Sequence, residues 1–70
     1  MHLINKTALL NGYKATIAWD GRDYSILVRG SRVQQLQVYT PRSPGISGGW
    51  YDLPLVAYSA LAESLREFAG

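Results

Sequence analysis

The segment from Tyr13 to Val28 constrains the fold of this chain more than any other stretch. Apolar and polar side chains alternate on both sides of a central Asp20-Gly21 pair. A period of two is typical of a strand with one buried face. The Asp-Gly pair predicts a tight turn, because glycine adopts the positive φ angle that such a reversal needs. We therefore expect a β-hairpin with strands at residues 13–20 and 23–29.

The length of this turn has two possible values. A two-residue loop would place Ile17 opposite Tyr24, whereas a four-residue loop would place Trp19 there. Both loops leave the apolar side chains of the two strands on the same face, because a register shift of two residues preserves facing. The buried face of the hairpin is therefore predicted for either loop.

An edge strand is predicted at residues 2–10, before the hairpin signal Asn11-Gly12. A two-residue loop at that signal would bring Lys6 beside Ile17, on the face that we expect to be buried. An inward-pointing lysine on an edge strand is one device that prevents sheets from pairing with other chains.

A further strand is predicted at residues 33–40, and the spacing of its apolar residues determines the preceding loop. Leu36 can face Ile26 only if the connection contains an odd number of residues. A three-residue loop at Gly30–Arg32 meets this condition, and such loops usually carry a bulge and a residue with positive φ.

The remainder of the chain predicts a long loop followed by a helix. Residues 41–52 are rich in Pro, Gly and Ser, and this connection exceeds the usual length of about 4–6 residues. Asp52 can cap a helix and Pro54 is tolerated in a first turn, so we expect a helix at residues 53–68. Glu63 and Arg66 are spaced to form an ion pair on its surface.

Together these elements predict one α+β domain spanning residues 1–70. An antiparallel β-meander of three or four strands is followed by one C-terminal α-helix packed on one face, in the order ββββα or βββα. The expected core consists of Tyr13, Ala15, Ile17, Trp19, Tyr24, Ile26, Val28, Leu36 and Val38 from the sheet, and Leu61, Leu65 and Phe68 from the helix.

The residues that enzymes need are scarce in this sequence. There is no cysteine, and the one histidine is His2 at the beginning of the chain. The acidic residues are explained by turns and by a solvated helix surface, and no phosphate-binding loop motif is present. We therefore expect no catalytic residue, no cofactor, no metal site and no enzymatic activity.

The charge and hydropathy of the chain indicate a soluble protein of the cytoplasm. The net charge of +2 permits an anionic partner without requiring one. No apolar run approaches the roughly 18 residues of a membrane span, so we expect no membrane contact. The first residues lack the pattern of a secretory signal.

The long loop provides the first candidate for a partner-binding surface. Trp, Tyr and Arg are the residue types that most often dominate the energy of protein interfaces. In the alternative interpretation, the loop tryptophan closes one end of the small core and the adjacent tyrosine packs on the first helical turn. The candidate partner-binding residues are Arg42, Ile46, Trp50 and Tyr51.

The sheet face that the helix does not cover provides the second candidate. A three-stranded antiparallel sheet with polar side chains can enter the major groove of DNA, and Arg and Gln read base edges there. The alternative interpretation is an ordinary solvated sheet face. The candidate nucleic-acid-binding residues are Lys14, Thr16, Arg29, Gln35, Gln37 and Tyr39.

From these observations we expect a small non-catalytic binding protein whose partner is another protein. It would act as an inhibitor, adaptor or regulator, a role common among phage- or plasmid-encoded proteins of this size that are directed at host machinery. The first alternative is a DNA- or RNA-binding module that uses the open sheet face. The second is a structural subunit that self-associates, for example as a homodimer.

Overall fold

A computed structural model describes all 70 residues and contains one sheet and one helix. The strands follow each other across the sheet in chain order, and all neighbours are antiparallel. The predicted α+β meander with a C-terminal helix is confirmed, and a short fifth strand is added to it. The elements are β1 (His2–Leu9), β2 (Gly12–Trp19), β3 (Arg22–Arg29), β4 (Arg32–Thr40), β5 (Gly49–Asp52) and α1 (Ser59–Ala69).

The central hairpin has the shorter of the two predicted loops. Ile17 pairs with Tyr24, and the turn consists of Asp20 and Gly21. Their φ angles are 52° and 74°, and two consecutive positive values identify the turn that matches the twist of paired strands.

The predicted pairing of Leu36 with Ile26 is confirmed, but the turn before β4 is shorter than predicted and β4 contains a bulge. The turn contains two residues, Gly30 and Ser31, rather than three. The third residue that the prediction required is Gln34 inside β4, which has no partner in β3, so the register shifts by one. This β-bulge has the same effect on the facing of Leu36 as one more residue in the turn.

The first strand is present, with a register that differs from the predicted one by two residues. Lys6 pairs with Ala15 rather than Ile17, so it still lies on the helix side of the sheet. The turn is formed by Leu10 and Asn11, and Gly12 belongs to β2. A Cβ on Gly12 would lie 1.9 Å from a backbone carbonyl oxygen of β3, so this glycine is needed where two strands approach closely.

The predicted loop at residues 41–52 is partly a strand, because its last four residues form β5. The rest is a small hairpin in which Ser43 and Ile46 exchange backbone hydrogen bonds of 3.2 and 2.9 Å. Pro44 and Gly45 occupy its tip. The φ of 80° at Gly45, after a proline, is typical of a type II turn.

The predicted start of the helix at residue 53 is wrong. Leu53 N–H donates to the Leu36 carbonyl at 2.8 Å and thus extends the sheet beyond β5. The Pro54 carbonyl then accepts hydrogen bonds from the amides of Ala57 and Tyr58, which form a separate turn. The helix begins only at Ser59, so Asp52 does not cap it.

The core lies between α1 and the central strands. Two predicted members, Trp19 and Phe68, are 40% and 44% exposed, so their assignment to the core is wrong. Trp19 ends its strand, and α1 presents Ala62 and Ala69 to the sheet instead of Phe68. The buried apolar residues are Ala15, Ile17, Tyr24, Ile26, Val28, Leu36, Ala62, Leu65 and Ala69.

Candidate protein-binding surface

The sheet face opposite α1 is called the open face here. Its side chains alternate along each strand with the buried residues of the core. Cross-strand pairing aligns Lys14, Leu27 and Gln35 in one row across β2, β3 and β4. Thr16, Ser25 and Gln37 form the next row. All six residues of the predicted nucleic-acid set lie on this face: Lys14, Thr16, Arg29, Gln35, Gln37 and Tyr39.

Asp52 of β5 determines the chemistry at one side of the open face. Its Oδ1 accepts hydrogen bonds from the side-chain amides of Gln35 at 3.2 Å and of Gln37 at 2.9 Å. The two amides that were expected to read base edges are therefore bound to a carboxylate. This carboxylate also places a negative charge where a nucleic-acid site would need a neutral or positive surface.

Tyr39 and Trp50 form an aromatic pair on the same face. They are direct neighbours on β4 and β5, their ring centroids are 5.4 Å apart, and the rings meet edge to face at 62°. This is a favoured geometry for aromatic side chains. Both remain about two-fifths exposed, at 41% and 42%. Trp50 thus faces away from the core, which excludes the alternative in which it closes one end of that core.

The four residues predicted for partner binding do not form one cluster. Trp50 faces the open side, whereas Tyr51 lies on the helix side of β5 and its hydroxyl donates to the Ser47 carbonyl. Tyr51 is also not next to the first helical turn in the chain, because the helix begins eight residues later, at Ser59. Arg42 and Ile46 lie in the small hairpin between β4 and β5, with Ile46 half exposed.

The sequence does not predict the aromatic pair as a unit, because its pattern places residues 49–52 in a loop. Had β5 been recognised, antiparallel pairing with β4 would have placed Trp50 opposite Tyr39. The sequence signal for β5 is weak: four residues between Gly48 and Leu53, with aromatic residues in adjacent positions and no alternation of polarity.

The shifted pKa values belong to groups near the end of the helix, outside the open face. A hydrogen bond from the Arg66 guanidinium lowers the pKa of Glu63, and the same pair raises the pKa of Arg66. Burial raises the pKa of Tyr13, whose hydroxyl donates to the Arg66 carbonyl at 3.2 Å. The predicted Glu63–Arg66 ion pair is thereby confirmed.

Two features are absent from the structure of the chain. No group of three or more His, Cys, Asp or Glu side chains is arranged to hold a metal ion. No helix combines the length and the apolar character needed to cross a membrane.

Comparison of the chain with protein-family models, curated proteins and solved structures finds no match. Function is therefore inferred from the geometry of the open face. Its most distinctive feature is a pair of exposed aromatic side chains held on adjacent strands.

Proposed function

We propose that this chain is a small non-catalytic binding protein that recognises a protein partner through Tyr39 and Trp50. It would act as an inhibitor, adaptor or regulator by occupying a surface of that partner. The observation that supports this proposal is the exposed edge-to-face packing of the two rings. Tryptophan and tyrosine contribute more than most residue types to the energy of protein interfaces.

The position of the aromatic pair on two strands favours binding. Each ring is fixed by its backbone and by the other ring, so little side-chain freedom is lost when a partner covers them. Aromatic side chains also bury a large apolar area while restricting only two torsion angles. A partner with an apolar pocket would gain from both effects.

The charge around the aromatic pair favours a protein partner over a nucleic acid. Asp52 lies on the same face and binds the amides of two glutamines. Phosphate groups would be repelled by this carboxylate, whereas a protein surface can offer it a lysine, an arginine or backbone amides.

Site-specific photocrosslinking tests this proposal. A benzophenone amino acid is introduced at position 50, and a matched chain carries it at Val56, which is 96% exposed and belongs to no strand of the sheet. After irradiation in native host cells, we expect one discrete protein adduct from position 50 and none from position 56. Equal labelling from both positions, or no protein adduct from position 50, would contradict the proposal.

A second candidate function is binding of single-stranded DNA or RNA by the open face. It is favoured by one observation: Lys14 and Arg29 share that face with the aromatic pair. Basic side chains with stacking platforms are typical of single-strand binding sites. In this case Lys14→Ala and Arg29→Ala would weaken binding, and the affinity would fall steeply with salt. An affinity for oligonucleotides that is independent of salt would exclude this candidate.

A further inference from the structure

We propose that β5 pairs in antiparallel orientation with β5 of a second copy of this chain, which joins the two sheets into one. The edge formed by β5 is distinct from the open face, on which the proposed function depends.

One hydrogen bond between β5 and β4 shows which backbone groups of β5 point toward β4 and which point outward from the sheet. Leu53 N–H donates to the Leu36 carbonyl at 2.8 Å, so these two residues form a hydrogen-bonded pair with β4. In antiparallel sheets such pairs recur at every second residue, so Tyr51 also bonds to β4. The backbone N–H and C=O groups of Trp50 and Asp52 therefore point outward from the edge.

These outward groups are complementary to those of a second copy. If a two-fold axis passes between the two Tyr51 residues, Trp50 of each copy lies opposite Asp52 of the other. Both residues direct their N–H and C=O groups outward, so each such pair can exchange two backbone hydrogen bonds. The same patch serves both copies, as a two-fold symmetric interface requires.

The other edge of the sheet has protections that β5 lacks. In β1 the register shifts between Leu3 and Asn5, and Lys6 points to the helix side. Bulges and inward-pointing lysines hinder edge-to-edge pairing. β5 has neither feature: its pairing with β4 shows no register shift, and its one charged side chain, Asp52, lies on the open face. β5 is thus the edge without a bulge or an inward-pointing lysine, although its length of four residues limits how far a pairing can extend.

The length of β5 limits the size of the contact. Each copy contributes the four residues Gly49–Asp52. Because β5 is short, the contact is smaller than a standard interface, and we expect a weak dimer that forms at high concentration.

Pairing about this axis would keep the open faces of both copies on one side of the joined sheet. The two aromatic pairs would then lie next to each other across the β5–β5 junction. A partner protein would meet one enlarged surface in place of two separate ones, which would strengthen its binding.

Amide hydrogen exchange over a wide dilution series tests the pairing directly. We expect the amides of Trp50 and Asp52 to be protected at high concentration and to exchange fast on dilution. Ala8 supplies an internal control, because Leu9 and Gly12 flank a two-residue turn and bond to each other, which leaves the Ala8 amide outward on β1. Its exchange should not change with concentration.

Sedimentation velocity of two proline variants provides the second test. Trp50→Pro removes an outward amide without breaking a bond to β4, so we expect loss of the dimer from a folded protein. Ala8→Pro removes the matching amide from β1 and should leave the dimer unchanged. Trp50→Ala keeps the backbone amide and should retain most of the dimer, whereas it should abolish the partner binding proposed above.

The outcomes separate this inference from the proposed function. A chain that stays monomeric at the highest concentration, with fast exchange at Trp50 and Asp52, overturns the pairing and leaves the proposed function standing. A dimer that forms while these amides still exchange fast also overturns it. Protection of the two amides only after a partner protein is added would assign the edge to that partner instead of a second copy.

Discussion

The Lys6 ammonium donates a hydrogen bond of 2.7 Å to the carbonyl oxygen of Ala69, in the last turn of α1. It also lies 4.6 Å from the centre of the Tyr13 ring, whose hydroxyl donates to the Arg66 carbonyl. The last carbonyls of a helix lack the usual partners of the following turn, and that end carries a partial negative charge. Lys6 of β1 bonds to the Ala69 carbonyl, and Tyr13 of β2 adds a second donor to the Arg66 carbonyl, which also accepts the Gly70 amide at 2.8 Å. Both side chains attach the end of α1 to the sheet.

Replacing Lys6 with methionine should lower the stability of the fold. The variant loses a cation at a helix C-terminus, so we expect the free energy of unfolding to fall by about 1 kcal/mol. Lys14→Met on the open face is the matched control and should change stability much less, because Lys14 makes no such contact. Urea denaturation measures both values, and equal losses would show that the contact with Ala69 contributes nothing.

Replacing Tyr13 with phenylalanine removes the hydrogen bond to Arg66. We expect a loss of about 0.5–1.5 kcal/mol in the free energy of unfolding at neutral pH. Because burial raises the pKa of Tyr13 in the folded state, its contribution is fully present below the unfolded value of 10.0 and is lost as the pH rises through the folded pKa. Thermal unfolding should therefore differ between the two proteins at neutral pH and converge in alkali.

Replacing either of two helix residues with alanine distinguishes the observed core from the predicted one. Leu65 is fully buried, so Leu65→Ala should cost about 2–5 kcal/mol. Phe68 is 44% exposed, and Phe68→Ala should cost much less despite the larger side chain. Chemical denaturation gives the two values, and a larger loss at Phe68 would mean that α1 presents a different face to the sheet.

The Glu63–Arg66 ion pair should make the stability of the fold depend slightly on pH in the acidic range. The hydrogen bond from Arg66 lowers the folded pKa of Glu63 below its ordinary value of 4.5. Its stabilising contribution is therefore present above that value and is lost as the pH falls through the folded pKa. Glu63→Gln should melt slightly below the wild type at neutral pH and match it in strong acid. Melting curves at a series of pH values measure this difference. A difference that persists in strong acid would show that the ion pair with Arg66 is not its cause.

Alternation of apolar residues was sufficient to predict the central strands and their facing. The pairing of Ile26 with Leu36 was predicted from that period, because the opposite facing would expose the apolar set. The period allowed either Ile17 or Trp19 opposite Tyr24, and the two-residue turn selects Ile17. The same parity predicted that an extra residue was needed between β3 and β4. Whether it lies in the turn or in a bulge depends on backbone geometry that the residue pattern does not encode.

The elements that were wrong in the prediction are those in which local signals compete with tertiary contacts. Gly12 follows an asparagine and resembles a turn residue, yet the close approach of β3 requires it within a strand. Asp52 precedes Leu53 and Pro54 like a helix cap, yet its carboxylate binds two glutamines across the sheet. Since the aromatic pair depends on β5, the candidate site was only partly predictable from the sequence.

Affinity capture with a matched pair of variants tests the proposed function most directly. Wild type, Trp50→Ala and Phe68→Ala are immobilised and exposed to nuclease-treated lysate of the native host, after their folding has been verified. We predict that wild type and Phe68→Ala retain the same protein in stoichiometric amount and that Trp50→Ala does not. Equal retention by Trp50→Ala, or retention of nucleic acid alone when nuclease is omitted, would contradict recognition of a protein partner through the aromatic pair.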